Sequence, residues 1–407
     1  MQTSGQLKVN LYTPHEGQRI IHQSIANDPC KYYILNIGRQ FGKSLLATNQ
    51  LLKWALNEPN TTTAWVSPIF RQAKKVFDDI DRAFGNNQQI FKKKDGTNLV
   101  MNFINGSSIQ FFSAERYDNI RGFTFDYLVC DEFAFMDEQA WTEVLRATVL
   151  VRGKKVLLIS TPKGKNHFYK MFMLDGINEQ YKSFRMTSYD NPIINPTEID
   201  DARLTLPDHV FRQEYLAEFI DGGAGLFNSP KVNDNPQITN RYYAGVDIGR
   251  VDDYTVISIF NDLGEQVICD RFRHDSWDNI SKKVAGYINQ FNAYTLIEVN
   301  SIGDAVFEQI KKYCDNQAAI HPFVTTAKSK QDIIERLSVA NQNKDISFRN
   351  IDWLLKEFDI FTFEFNPKTK SIRYSAPSGF HDDGVMATAI SYEALKSNKT
   401  AGEYYII

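Results

Sequence analysis

Cysteine is scarce. The four present, Cys30, Cys130, Cys269 and Cys314, lie far apart with no C-x-x-C pair. A zinc site or disulfide framework is therefore not expected, and buried free thiols in a reducing compartment are. Long apolar runs are missing too. No stretch reaches membrane-spanning length, and the N-terminus lacks a cationic start followed by an apolar core, which predicts a cytoplasmic chain. Neither charge is in real excess: 46 basic against 49 acidic residues leaves −3. Contact with nucleic acid must then rest on local patches rather than a global field. No repeat of fixed period and no low-complexity tract interrupts the chain. What remains is an ordinary globular composition over 407 residues, room for two or three domains.

The most informative stretch is Tyr32 to Ala47. A short apolar run, Tyr-Tyr-Ile-Leu, enters a loop holding Gly38, Arg39, Gln40 and Gly42, and Lys43-Ser44 opens a segment of helical character. Strand, glycine-bearing loop and helix in that order cradle a nucleoside triphosphate. Loop N–H groups and the helix N-terminus take the phosphates, Lys43 the β/γ oxygens, and the Ser44 hydroxyl a Mg²⁺ ion. The usual pattern would place the first glycine at position 37, where this chain has Ile37, so an ordinary strand-to-helix turn competes with this reading. Upstream, Pro14 and Gly17 make a turn before Gln18, whose amide can donate and accept together, as an adenine edge requires.

The following elements support the nucleotide reading. Thr62–Val66 and Ile69–Ala83 read as strand and helix, and the succession predicts a parallel α/β sheet. Leu99–Ile104 and Ile109–Phe112, joined by Asn105-Gly106, read as a hairpin. Lys92, Lys93 and Lys94 beside it read as a solvated loop, with DNA contact as the alternative. Asp126 to Glu132 is an apolar strand ending in two acids, which predicts Asp131 in the Mg²⁺ shell and Glu132 orienting and deprotonating water. A third strand, Lys155–Ile159, ends in Ser160-Thr161-Pro162, hydroxyls at the sheet edge where nucleotides bind. Arg39 lies inside the loop, and Arg146 is a candidate arginine finger toward a neighbouring subunit, with a surface salt bridge as its alternative.

Asp221-Gly-Gly-Ala-Gly225 is glycine-dense, and Asn228–Asn240 is polar with Pro230 and Pro236. This predicts a first domain over 1–225, a linker over 226–240 and a second domain over 241–407. The second domain opens with a strand carrying Asp247, continues as a meander, and adds a strand near Glu298. A last apolar helix is preceded by His381-Asp382-Asp383. Acids on a first strand, a later strand and a final helix predict two Mg²⁺ or Mn²⁺ ions held for phosphodiester hydrolysis. Asp253 is an additional candidate ligand.

Together these residues resemble the large terminase subunit of tailed bacteriophages. The resemblance runs through Pro14–Gln18, Gly38–Ser44, Ile120-Arg-Gly122 before the Asp131-Glu132 strand, Ser160–Gly164, Gln213–Phe219 and the nuclease acids. It implies an additional-strand P-loop ATPase domain joined to an RNase H-like nuclease domain. It makes the displaced glycine followed by Arg39-Gln40 a feature of the family's phosphate loop. It implies Gln18 as adenine contact and Gly38, Arg39, Gln40, Gly42, Lys43, Ser44 and Asp131 around ATP with Mg²⁺. It further implies Glu132 as catalytic glutamate, Arg39 and Arg146 as arginine fingers, and Thr161 in the coupling motif. Asp247, Glu298, Asp382 and Asp383 take the nuclease metal positions. The implied partners are double-stranded DNA, the portal of the procapsid and a small terminase subunit. A homo-oligomeric ring on the portal is implied, a monomer in isolation being the other expectation. The setting is the host cytoplasm with no membrane. The chain ends soon after its last helix, at Glu403–Ile407, so a reduced portal-docking tail is expected.

Two other readings remain from the sequence. One is a helicase-like or repair ATPase fused to a resolvase-type nuclease, although no further helicase motif follows Gly164. The other is an assembly scaffold with dead sites, which the intact Lys43, Glu132 and nuclease acids oppose.

Overall fold

The computed structural model of the protein describes residues 12–85, 87–220, 226–249, 254–273, 276–299, 303–366, 371–377 and 380–402. Asp253, the glycine-dense 221–225 and the 403–407 terminus lie outside the described residues. Contacts divide the chain into one compact unit of 1–202 with 209–220, and another of 203–208 with 221–407.

In the first unit the strands are β1 (Tyr32–Ile37), β2 (Thr62–Ser67), β3 (Phe91–Asp95), β4 (Val100–Phe103), β5 (Ser108–Ser113), β6 (Tyr127–Asp131), β7 (Lys155–Ser160) and β8 (Tyr181–Met186). They form one sheet in the order β3-β4-β5-β2-β6-β7-β1-β8. From β5 to β8 all neighbours are parallel, while β3 and β4 add an antiparallel edge. All six residues of β1 are buried, as a strand covered on both faces requires. Alternate residues serve different layers: Tyr33, Leu35, Ile37, Leu157 and Ile159 join one core, Ile34, Val156 and Leu158 the other.

The helices here are α1 (Glu16–Asn27), α2 (Lys43–Asn57), α3 (Phe70–Phe84), α4 (Arg146–Thr148), α5 (His167–Phe172), α6 (Pro196–Thr205) and α7 (Asp208–Glu214). α3 shows why they pack: Ala73, Val76, Phe77 and Ile80 recur at helical spacing and are its buried residues. The inserted β7, between phosphate-loop strand β1 and acid-bearing strand β6, is the additional strand. The triple-lysine segment departs from expectation, being edge strand β3 rather than a loop. Phe91 anchors it in the core, Lys92 and Lys93 are exposed, and Lys94 pairs with Asp81.

The second unit holds β9 (Tyr242–Asp247), β10 (Thr255–Asn261), β11 (Gln266–Phe272), α8 (Trp277–Phe291), β12 (Tyr294–Glu298), α9 (Gly303–Tyr313) and β13 (Ile320–Phe323). It continues with α10 (Ala327–Gln342), α11 (Asp352–Ile360), β14 (Thr362–Asn366), β15 (Ser371–Ser375) and α12 (Asp383–Gly402). Its five-stranded sheet runs β11-β10-β9-β12-β13, an antiparallel meander extended by two parallel strands. This is an RNase H-like arrangement. α12 is pressed onto β9 at Gly245, where a Cβ would meet Ser391 N at 2.1 Å and Ala387 O at 2.4 Å. The 226–240 stretch, expected as a linker, is laid against this unit rather than standing free. Leu226 and Phe227 are buried, Phe227 on Phe358 and Phe361, and Asn233 N–H donates to Phe348 O at 2.8 Å. Its polar composition concealed this because part of the docking is made by main-chain groups.

Candidate active sites

β1 ends at the fully buried Ile37, and the chain turns at Gly38. A Cβ there would meet Tyr215 O at 2.5 Å and Ser188 N at 2.9 Å. The displaced glycine thus has a physical reason: position 37 belongs to the core and position 38 to a crowded turn. The loop continues through Gln40 and Gly42 at φ +59° and +95°, and α2 opens at Lys43. It is fastened from outside. Gly38 N–H donates to Met186 O at 2.9 Å and Arg39 N–H to Glu214 O at 2.8 Å. Ser188 Oγ donates to Arg39 O and Asn191 Nδ2 to Gln40 O, both at 2.7 Å. A pre-set loop leading into a helix N-terminus is suited to phosphate.

The carboxyl end of β6 supplies the acids. Ser44 Oγ donates to Asp131 at 3.2 and 3.3 Å, and Lys43 Nζ lies 3.1 Å from Glu132 Oε1. Burial and the charge of Glu132 push Asp131 up to about 7, while Lys43 and Ser44 pull it back. A hydroxyl beside a carboxylate is a hard-oxygen donor set that fits Mg²⁺. Glu132 has φ +52°, a strained setting for a non-glycine residue that costs on the order of 1–3 kcal/mol. Ser160 Oγ donates to Glu132 Oε2 at 3.3 Å and accepts from Ala134 N–H at 3.3 Å. The sequence reading singled out Thr161 in this motif; Thr161 is buried next door, and Ser160 is the residue that meets the glutamate.

The other expected residues distribute unevenly. Arg39 Nε donates to Glu214 Oε2 at 2.6 Å, a partner the sequence reading missed because it lies 175 residues downstream. The Gln18 amide is used locally: it accepts from His15 N–H and donates to Gly42 O, both at 3.2 Å. Gln18 therefore braces the loop itself. Arg146 is not brought to the phosphate loop of its own chain. It hydrogen-bonds Tyr32 at the opposite end of β1.

In the second unit Asp247 ends β9. Burial, a hydrogen bond with Glu298 and the charges of Glu298, Asp383 and Asp382 all raise it well above the usual carboxylate range. Four carboxylates pressing on one another call for a cation, and their hard oxygens fit Mg²⁺ or Mn²⁺. Among the described residues, however, no three His, Cys, Asp or Glu side chains close into a ready metal cage. Asp382 Oδ2 instead pairs with Lys330 Nζ at 3.0 Å, and Asp383 Oδ2 lies 3.6 Å from His381 Nδ1 and accepts from Tyr254 N–H at 3.4 Å. Lys330 and Tyr254 were not foreseen, since nothing in their own sequence context marks them.

Residues 34–234 match the family model described as terminase large subunit, T4likevirus-type, N-terminal. The large terminase subunit of Thermus virus P23-45 is 26% identical over 430 aligned residues, covering 94% of this chain and 87% of that protein. That of Escherichia phage T5 is 29% identical over 224 residues, 54% of this chain and 51% of that one. The solved large terminase of a thermophilic bacteriophage superposes with a TM-score of 0.52 at 14% identity, covering 94% of this chain and all of the other, a likeness of fold. Among the described residues no helix is long and apolar enough to cross a membrane. A phosphate-loop site in one unit, a carboxylate centre in the other and a likeness running over nearly the whole chain lead to one conclusion: among known proteins this chain is similar to the large terminase subunits of phages.

Proposed function

We propose that the chain uses ATP hydrolysis in its first part, residues 1–225, to move double-stranded DNA into a procapsid. Its second part, residues 241–407, cuts concatemeric DNA when packaging begins and ends. The observation that carries the motor reading is the strand order, which sets β7 between β1 and β6 and faces Lys43 and Ser44 with Glu132 and Asp131. Lys43 exchanges Glu132 for the β/γ-phosphate oxygens, and Gly38, Gln40 and Gly42 let the loop wrap them. Ser44 and Asp131 hold Mg²⁺, which neutralises phosphate charge when bound. Glu132, steadied by Ser160, orients the attacking water and takes its proton. Arg39 turns from Glu214 to the γ-phosphate, and Arg146 serves the neighbouring subunit. Gln18 contacts the adenine edge from its place beside the loop, and Thr161 belongs to the segment that passes on loss of the γ-phosphate.

In the nuclease, Asp247, Glu298, Asp382 and Asp383 hold two Mg²⁺ or Mn²⁺ ions, which supply a polarised water and a counter-charge for the leaving oxygen. Lys330, which pairs with Asp382 at 3.0 Å, would have to give that carboxylate up for it to serve as a ligand. The partners that fit are the portal, a small terminase subunit and further copies of this chain in a ring, acting in the host cytoplasm. The helicase-like alternative gains no support from the relatives. The deciding experiment is procapsid-stimulated translocation of duplex DNA. Wild type is expected to package without separating the strands and Glu132→Gln to stall; full packaging by Glu132→Gln would overturn the motor reading.

A further inference from the structure

The nuclease acids Asp382 and Asp383 sit where α12 begins, so whatever fixes that helix end also sets their position. The first N–H groups of a helix have no partner within it and need an outside acceptor. Here the acceptor comes from another helix. Glu357 of α11 is buried at 6% exposure, and its Oε2 accepts from Gly384 N–H at 2.8 Å. The approach is tight. A Cβ on residue 384 would meet Trp353 Cζ3 at 2.6 Å and Glu357 Oε2 at 2.7 Å. Arg271 closes the arrangement from β11, 3.6 Å from Glu357 Oε1, with its guanidinium 4.4 Å from the Trp353 ring and 4.5 Å from the Tyr254 ring. Tyr254 in turn donates its N–H to Asp383 Oδ2 at 3.4 Å. Glu357, Arg271 and Tyr254 thus brace residues 383 and 384 from two sides.

We propose that Glu357 is a positioning residue of the nuclease: it caps α12 from α11 and, with Arg271 and Tyr254, sets where Asp382 and Asp383 face Asp247. Glu357 itself ligates no metal. Its buried carboxylate is committed to the helix amide and to Arg271. The inference rests on the nuclease reading, and the tests separate the two. Partners that orient metal ligands change metal affinity by about 10–100-fold when removed.

The experiment measures Mn²⁺ binding to the full chain by titration calorimetry, together with nicking of supercoiled DNA as Mn²⁺ is varied. Glu357→Ala is expected to weaken Mn²⁺ binding and raise the half-maximal concentration by about tenfold or more. Nicking at saturating Mn²⁺ should fall far less, and ATPase activity should be unchanged. Glu357→Gln keeps an oxygen for the Gly384 amide and should stay within about threefold of wild type. The exposed neighbour Lys356→Ala should match wild type throughout. Removing Glu357 leaves Arg271 unpaired, so Gly384→Ala provides a second route: its methyl pushes the helix end off Glu357 while all four carboxylates remain. It should show the same metal shift. If wild type neither binds Mn²⁺ nor nicks, the nuclease reading falls. If wild type does both and folded Glu357→Ala or Gly384→Ala binds Mn²⁺ equally well, the positioning role is overturned.

Discussion

Arg39 and Glu214 meet at 2.6 Å, with Arg39 largely exposed and Glu214 largely buried. The carboxylate therefore competes with any phosphate for this guanidinium, and a partly exposed pair of this kind is worth about 1 kcal/mol or less. Glu214→Gln, which keeps the shape of the contact, should bind a non-hydrolysable ATP analogue up to about fivefold more tightly in a filter-binding titration. Weaker binding would assign Glu214 to loop support alone. The residues that the structure brings together at the phosphate loop were legible because they stand at strand ends: Lys43-Ser44 after one apolar run, Asp131-Glu132 after another. Glu214 and Lys330 were not, because each gains its meaning from a contact with a distant segment. The mutation with the largest expected effect is Glu132→Gln, which should lower ATP turnover by about 10²–10⁴-fold, the range for loss of a general base, in a steady-state phosphate-release assay.

At the scale of elements, α1 and α2 are joined by a polar chain. His22 Nδ1 donates to Gln50 Oε1 and its Nε2 accepts from Tyr12 OH, each at 2.6 Å. Burial lowers the His22 pKa, Gln50 opposing and Lys53 adding to it. The unfolded chain then takes up the proton first, so stability is lost as pH falls below about 6.5 and on through the folded-state value. Urea midpoints at pH 7.5 and 5 should differ less in His22→Gln than in wild type. The remaining acid sensitivity belongs partly to His167, also held neutral by burial. In the second unit, Gly245→Ala forces a methyl into the backbone of α12 and should cost about 1–3 kcal/mol or more by the same unfolding measurement. Element types were readable from apolar periodicity and turn residues, and β3 was missed because a single buried Phe91 anchors a strand that otherwise reads as charge. Strand order was not readable from the residues: that β7 inserts between β1 and β6 is a matter of long-range pairing, and only the family resemblance implied it.

At the scale of the whole molecule, two chemistries occupy two separately cored units. Asp247→Ala should abolish Mn²⁺-dependent nicking and leave ATPase activity intact, and Lys43→Ala should do the reverse; parallel loss of both in either variant would contradict the separation. The 3.1 Å contact between Lys43 and Glu132 bears on how the motor idles. Before nucleotide arrives, the lysine that must grip phosphate and the carboxylate that must take a proton neutralise each other. Under the proposed mechanism, binding ATP would withdraw the lysine and set the base loose in one event, so that the site arms itself only when loaded, at some cost in affinity. Glu132→Gln, though unable to turn over, should therefore hold ATP more tightly than the active enzyme does.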